Sequence, residues 1–119
     1  GKCIENIIKK KNDFLTINDK SKLIKIKFDD ILYIETSKRQ LIIHTTNGYE
    51  IIKMSMRKLE KILNKDFFRC HNSFIVNLEK INKIDVSDIY INNATIPISK
   101  YRRKQLKARL IEVLGDKLC

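Results

Sequence analysis

Short alternating runs of apolar and polar residues, each closed by turn-forming residues, constrain the fold of this chain more than any other feature. Three such runs open the pattern: residues 13–19, 22–27 and 31–35. Asn47-Gly48 then separates two further runs, and this dipeptide is the strongest short signal for a β-hairpin. Residues 18–21 and Asn92-Asn93 mark additional turns between short segments. The pattern predicts a mainly β chain of short antiparallel strands.

Two segments change to helical spacing. The first places three apolar residues on one face, Met56, Leu59 and Leu63, with Ser55 as a plausible N-cap. The second carries an apolar stripe made of Leu106, Leu110, Val113 and Leu114. Ser99 and Gly115 are the start and stop signals of this second helix. Helix and strand do not alternate along the chain, so a parallel α/β sheet is not expected.

Length and cysteine spacing limit the class of protein. A chain of 119 residues favours one domain, and its apolar runs are too short to span a membrane. The first residues lack the long apolar core of a signal peptide. Cys3, Cys70 and Cys119 are odd in number and widely spaced, which fits a reducing cytoplasm better than a disulfide framework.

Net charge indicates the kind of partner. The formal charge is +11, and Lys and Arg are concentrated towards both ends of the chain. Such a charge favours a polyanion, either a nucleic acid or an anionic membrane surface. The alternative is a basic protein that needs no such partner.

Catalytic and metal chemistry find little support. Cys70 and His71 are neighbours in a predicted strand, so their side chains point to opposite faces and cannot easily share a proton. Cys70 is expected in the core with Phe68. Only two His and three Cys are present, without the spacing of a zinc site, and His44 lies in an apolar strand. No glycine-rich phosphate loop occurs, so neither an enzyme nor a cofactor is predicted.

Basic residues stand where a helix would normally carry acids. Ser99 is followed by five residues with four cations, Lys100, Tyr101, Arg102, Arg103 and Lys104. Cations at a helix N-terminus are unfavourable unless an anion such as phosphate docks there. Arg57 and Lys58 repeat the pattern after Ser55. The alternative is that these long side chains simply extend into solvent.

Two turns add polar groups to this pattern. Residues 35–40 join two strands and would expose Lys38 and Arg39. Asn72 lies where two apolar halves of one hairpin meet. An Asn in a turn commonly adopts the left-handed region, but its amide can also pair with an adenine edge.

Residues 67–77, "FFRCHNSFIVN", resemble the central motif of the LytTR family of DNA-binding domains, in which F-R-x-H precedes x-S-x-x-V-N. The flanks are also similar to that family: "DDILYIET", "MRKLEKIL", "INKID" and "IPISKYRRKQLKARL". The resemblance runs from about Phe14 to Leu110. "FRCHNS" is most similar to the accessory gene regulator type, which controls quorum-sensing and virulence genes in Gram-positive bacteria.

The resemblance implies an elongated antiparallel β domain of several small sheets, with short helices and a C-terminal helix. Such domains regulate transcription by binding direct repeats in promoters, through loops and helix N-termini. They usually follow a receiver domain in two-component response regulators, so residues 1–12 are interpreted as a linker from an absent receiver domain and 13–119 as the LytTR-type domain. The implied partner is double-stranded DNA in the cytoplasm, on which the domain could dimerise.

Family roles transfer residue by residue. Asn72 matches a base-contacting Asn, Ser73 matches a phosphate contact, and His71 matches a structural residue. Tyr101 aligns with a position where family members often carry a basic residue that reads a base. The resemblance therefore leaves Lys100, Tyr101 and Arg102 as candidates for this role and favours Arg102. The predicted DNA-binding residues are Lys38, Arg39, Ser55, Arg57, Asn72, Ser73, Lys100, Tyr101, Arg102 and Arg103. A β-rich RNA-binding module and a basic protein- or membrane-docking domain remain as alternatives.

Overall fold

The computed structural model describes residues 14–19 and 22–114, which form three separate antiparallel sheets and two α-helices. The strands are β1 (Phe14–Asp19), β2 (Lys22–Lys27), β3 (Ile31–Ser37), β4 (Gln40–Thr45), β5 (Gly48–Ile52), β6 (Phe67–His71), β7 (Phe74–Asn77), β8 (Lys83–Ile84), β9 (Asp88–Ile91) and β10 (Ala94–Pro97). The helices are α1 (Met56–Ile62) and α2 (Arg103–Leu114). The prediction of a mainly β chain with a C-terminal helix is confirmed.

A five-stranded sheet in the order β5-β4-β3-β7-β6 forms the centre of the fold. β1 and β2 form a two-stranded sheet, and β8, β9 and β10 form a three-stranded one. Because side chains alternate along a strand, the central sheet presents apolar residues to both sides. Ile34 and Ile75 belong to one core, with the β1–β2 pair and α1. Tyr33 and Val76 belong to a second core, with the three-stranded sheet and α2.

The predicted hairpins are present, with one shift in register. β4 and β5 pair as expected around Asn47-Gly48, but Thr45 lies opposite Gly48, so the turn is made by Thr46 and Asn47. Gly48 takes a φ of 146°, a conformation that residues with a Cβ rarely adopt. The Asn92-Asn93 turn joins β9 to β10, and Asn92 has a φ of 52°.

The two helices differ in how well their starts were predicted. The N-cap of α1 is confirmed, because the Ser55 hydroxyl accepts a hydrogen bond from the Lys58 N–H at 3.1 Å. The prediction that Ser99 starts the last helix is wrong. Ser99 forms no side-chain cap and precedes a 3-10 turn at Lys100–Arg102, so α2 begins only at Arg103. Leu106, Leu110 and Val113 do pack into the second core.

Several predictions fall outside the described residues. These are the linker at residues 1–12, the turn positions 20 and 21, Cys3, Gly115 and Cys119. Within 14–19 and 22–114, neither helix has the length and apolar character needed to cross a membrane.

Asn77, the last residue of the central motif, joins β7 to the start of β3 and to the turn before it. Its amide group donates to the carbonyls of Ile31 at 2.8 Å and Phe28 at 3.3 Å. Its side-chain oxygen accepts from the Glu79 N–H at 3.0 Å. Asn77 is almost fully buried, and its side chain is satisfied by hydrogen bonds to the backbone.

Candidate nucleic-acid interface

Three connections lie at one end of the five-stranded sheet, together with the approach to α1. They are the β3–β4 turn, the β6–β7 turn and the β10–α2 connection. Ser37 lies opposite Gln40 and Leu41 lies opposite Ile52, so the β3–β4 turn and the end of β5 are adjacent. The β6–β7 turn lies at the same end, because the Thr36 N–H donates to the Ser73 carbonyl at 3.0 Å. We call this end of the sheet the turn-bearing end.

The β3–β4 turn carries two cations in a strained backbone conformation. Lys38 and Arg39 have φ values of 50° and 67°, and both side chains are exposed. Two successive residues at positive φ are typical of the type I′ turn, which suits the twist of a two-stranded hairpin. Side chains other than Gly, Asn and Asp are disfavoured there, so the two cations occupy these positions at some expense in stability.

The β6–β7 turn presents Asn72 to solvent. Its φ is not positive, in contrast to that of Asn92, so Asn72 does not act as a left-handed turn residue. Within the described residues, the Asn72 side chain has no hydrogen-bond partner. The turn itself is held by His71, whose Nδ1 accepts from the Ser73 N–H at 3.1 Å. This bond supports the structural role expected of His71 and leaves the Asn72 amide free for an external partner.

The β10–α2 connection is tied to the same hairpin. The Ser99 N–H donates to the Cys70 carbonyl at 2.7 Å, and Arg102 Nη1 donates to the Arg69 carbonyl at 2.9 Å. Arg102 is therefore half-buried against β6. Tyr101 is 89% exposed, and Lys100 is exposed beside it. Of the three competing residues, the structure turns Lys100 and Tyr101 outward and holds Arg102 against the hairpin.

The start of α1 contributes two further predicted residues. Ser55 and Arg57 follow β5 closely and are both exposed. The Ser55 hydroxyl is engaged in the N-cap, but it keeps its own proton for donation. α1 has only seven residues, so the charge of Arg57 matters more here than any helix dipole. Arg103, the first residue of α2, is half-buried.

Charge differs between the two ends of the central sheet. At the turn-bearing end and on the connections beside it are the exposed cations Lys38, Arg39, Lys53, Arg57, Lys58, Lys100 and Lys104. At the opposite end, a cleft is lined by Asp29, Asp66 and Glu79, with Lys27 in the same lining and Lys80 paired with Asp29. A polyanion would therefore be attracted to the turn-bearing end.

Cys70 and His44 are both held in local contacts of the fold. Burial raises the pKa of the Cys70 thiol to about 12, so the thiol is protonated near neutral pH. His44 Nε2 forms a hydrogen bond with Glu35 Oε1 at 2.8 Å, and its ring stacks on Tyr33 with ring centroids 4.2 Å apart. Over residues 14–19 and 22–114, His, Cys, Asp and Glu side chains form no group of three or more suited to a metal ion.

Sequence reasoning missed the residues that hold the turns together. Arg69 Nη2 donates to the Asn72 carbonyl at 2.8 Å, and Arg69 Nη1 lies 3.4 Å from Glu60 Oε1 on α1. The only signal for Arg69 was its place in the F-R-x-H motif. Nothing local to Glu60 indicates this contact, because it depends on how α1 packs against β6.

A stiff β framework with basic and polar turns at one end is typical of a nucleic-acid-binding module. The comparisons place it further: the chain belongs to the LytTR family, since the family model described as the LytTr DNA-binding domain matches residues 21–111. A LytTr DNA-binding domain from Bacillus cereus has a similar structure, with a TM-score of 0.69 and 26% identity over 82% of this chain and 96% of that one.

Longer relatives are found in staphylococci. Accessory gene regulator protein A of Staphylococcus aureus is 34% identical over 93 residues, which cover 73% of this chain and 39% of that protein. Its counterpart in Staphylococcus epidermidis is 32% identical over 85 residues, covering 68% of this chain and 35% of the relative. The chain thus spans about two fifths of the length of these relatives. The resemblance seen in the sequence is confirmed.

Proposed function

We propose that this chain is the sequence-specific DNA-binding domain of a bacterial transcriptional response regulator. The observation that carries the proposal is the meeting of three turns at one positively charged end of the sheet, each fixed by main-chain hydrogen bonds. Fixed turns can enter a groove without first losing conformational entropy on binding.

Phosphate contacts would supply most of the affinity. Lys38, Arg39, Arg57 and Lys100 project from neighbouring elements and could neutralise phosphates on both sides of a groove. The hydroxyls of Ser55 and Ser73 could donate to phosphate oxygens, and Arg103 could add charge at the start of α2. These contacts orient the domain on the duplex without reading its sequence.

Base contacts would come from side chains on the β6–β7 turn and on the β10–α2 connection. The free amide of Asn72 has the donor and acceptor needed to pair with adenine N7 and N6 in the major groove. Tyr101 is exposed enough to touch a base edge, whereas Arg102 would first have to release the Arg69 carbonyl. We therefore assign base readout to Asn72 and Tyr101, and support of the turn to Arg102.

Several features of the whole protein belong to the same proposal. They are a receiver domain in the full-length regulator, direct repeats in promoters as targets, dimerisation on DNA, a cytoplasmic location and control of quorum-sensing and virulence genes. The domain would act by binding and not by catalysis, without a cofactor. The names of its staphylococcal relatives and the match to a DNA-binding family support this assignment.

Selection from random duplexes, followed by fluorescence anisotropy across a salt series, tests the proposal. The expected result is an enriched repeat that binds more tightly than a scrambled duplex, with affinity falling steeply as salt rises. A domain that is indifferent to every duplex in dilute buffer would overturn the proposal.

The two alternatives predict other outcomes. An RNA-binding module needs clustered exposed aromatics for base stacking, but exposed Tyr49 and Tyr101 lie at different ends of the five-stranded sheet. A docking domain for anionic membranes would bind vesicles and show no preference among duplexes. Competition with single-stranded RNA and with anionic vesicles separates these outcomes from duplex binding.

A further inference from the structure

Arg69 is a cation near the turn-bearing end that is not free to contact DNA. Its side chain is 22% exposed, and both of its terminal nitrogens already have partners. Nη2 donates to the Asn72 carbonyl at 2.8 Å, and Nη1 approaches the Glu60 carboxylate at 3.4 Å. Its Nε is buried and has no partner among the described residues. A phosphate contact would require Arg69 to leave this arrangement.

We propose that Arg69 is a positioning residue that sets the sequence preference of the domain through Asn72. The inference rests on the proposed function. Arg69 spans the β6–β7 turn and fixes the backbone of Asn72, while Glu60 fixes the direction of the guanidinium from α1. Arg102 donates to the main-chain carbonyl of Arg69, so the hairpin, α1 and the β10–α2 connection are joined at one residue.

The geometry requires an arginine. The two partners of Arg69 lie on different elements and use different nitrogens of one planar group. A lysine has the same charge but presents it at a single nitrogen, so it cannot hold both partners in a fixed fork. If Arg69 acted only through its charge, lysine would replace it fully.

Neutralising Glu60 distinguishes the positioning role of Arg69 from a simple effect of charge. Its carboxylate is 47% exposed and belongs to a domain proposed to bind a polyanion. Simple electrostatics predicts that neutralising it tightens binding to every duplex. The positioning role predicts instead that neutralising Glu60 loosens Arg69 and weakens binding to the selected repeat more than to scrambled DNA.

The experiment compares Arg69→Lys, Glu60→Gln and the control Asp29→Asn on the selected and scrambled duplexes. Asp29 is matched to Glu60 because it also pairs with a cation, Lys80 at 3.3 Å, but lies at the opposite end of the sheet. Arg69→Lys and Glu60→Gln should each lower the ratio of the two affinities about three- to tenfold. The salt slope should stay at its wild-type value, and Asp29→Asn should leave the ratio unchanged.

A double-mutant cycle decides whether Arg69 acts through Asn72. In an Asn72→Ala background, Arg69→Lys should have no further effect on the affinity ratio. The inference fails if Arg69→Lys keeps the wild-type ratio, if its effect adds to that of Asn72→Ala, or if Glu60→Gln tightens both duplexes equally. Thermal melts show whether each variant is folded. If Arg69→Lys is unfolded, the affinity ratio of Glu60→Gln tests the inference in its place. A wild-type domain without any duplex preference would instead defeat the proposed function.

Discussion

Asn77 illustrates a residue in the central motif whose chemistry is structural. Its side chain forms hydrogen bonds with the backbone of Phe28 and Ile31 and with that of Glu79, which satisfy a polar group inside the core. Asn77→Ala should lower the free energy of unfolding by about 1–3 kcal/mol, because three hydrogen bonds from this buried side chain to the backbone are lost. Urea denaturation measures this change, with the exposed Asn93→Ala as the control. Equal midpoints for the two variants would contradict the role assigned to Asn77.

Cys70 should be inert as a nucleophile while the domain is folded. Its raised pKa leaves almost no thiolate at pH 8, and its side chain is fully buried. Iodoacetamide labelling, located by peptide mass spectrometry, should therefore modify Cys70 only after denaturation in urea. Rapid labelling of Cys70 in the folded domain would show that it is more accessible than its packing indicates.

The same pKa shift has a consequence for stability. The unfolded thiol ionises near its ordinary value of 9.0, whereas the folded thiol stays neutral up to about 12. The contribution of Cys70 is therefore fully present below pH 9 and is lost as the pH rises from 9 towards 12. A Cys70→Ala variant should show a smaller loss of stability over this interval, measured by urea denaturation at each pH.

At the scale of elements, the β3–β4 turn shows a conflict between folding and binding. Lys38 and Arg39 occupy left-handed positions that favour Asn and Gly. Replacing both residues, Lys38→Asn with Arg39→Gly, should raise stability by about 1–2 kcal/mol. The same change should weaken binding to any duplex, because two cations are lost at the turn-bearing end. Higher stability with unchanged DNA affinity would remove these residues from the interface.

The start of α1 separates capping from binding in a similar way. Ser55→Ala should cost about 1 kcal/mol through loss of the N-cap, and Ser55→Asp should restore it because Asp caps equally well. Ser55→Asp should nevertheless weaken DNA binding, since it places an anion beside Arg57. Melting curves and anisotropy on both variants test the two effects independently. If Ser55→Asp binds DNA as wild type does, the start of α1 lies outside the interface.

Local chemistry made some elements predictable and left others hidden. The Ser55 cap and the β4–β5 hairpin could be predicted because each depends on neighbouring residues. The late start of α2 could not be predicted, because it involves a contact between distant residues. The Ser99 N–H bonds to the Cys70 carbonyl, and residues 100–102 form a 3-10 turn before the helix. The role of Arg102 was hidden for the same reason. Its preferred partner is a carbonyl 33 positions away in the sequence.

Across the whole molecule, salt dependence and sequence preference separate the residues proposed to contact phosphates from those proposed to read bases. Lys104 is exposed at the start of α2, so Lys104→Ala should weaken selected and scrambled duplexes equally and reduce the salt slope by about 0.9. Asn72→Ala and Tyr101→Ala should lower the affinity ratio and leave the slope unchanged, because base contacts release no counterions. Arg102→Ala should also lower the ratio, by freeing the β10–α2 turn. Anisotropy titrations at four salt concentrations give, for each variant, both the affinity ratio of selected to scrambled duplex and the salt dependence of the affinity. If Tyr101→Ala weakened the selected and scrambled duplexes equally, Tyr101 would contact the backbone, and base readout at that turn would have to come from Lys100 or Arg102.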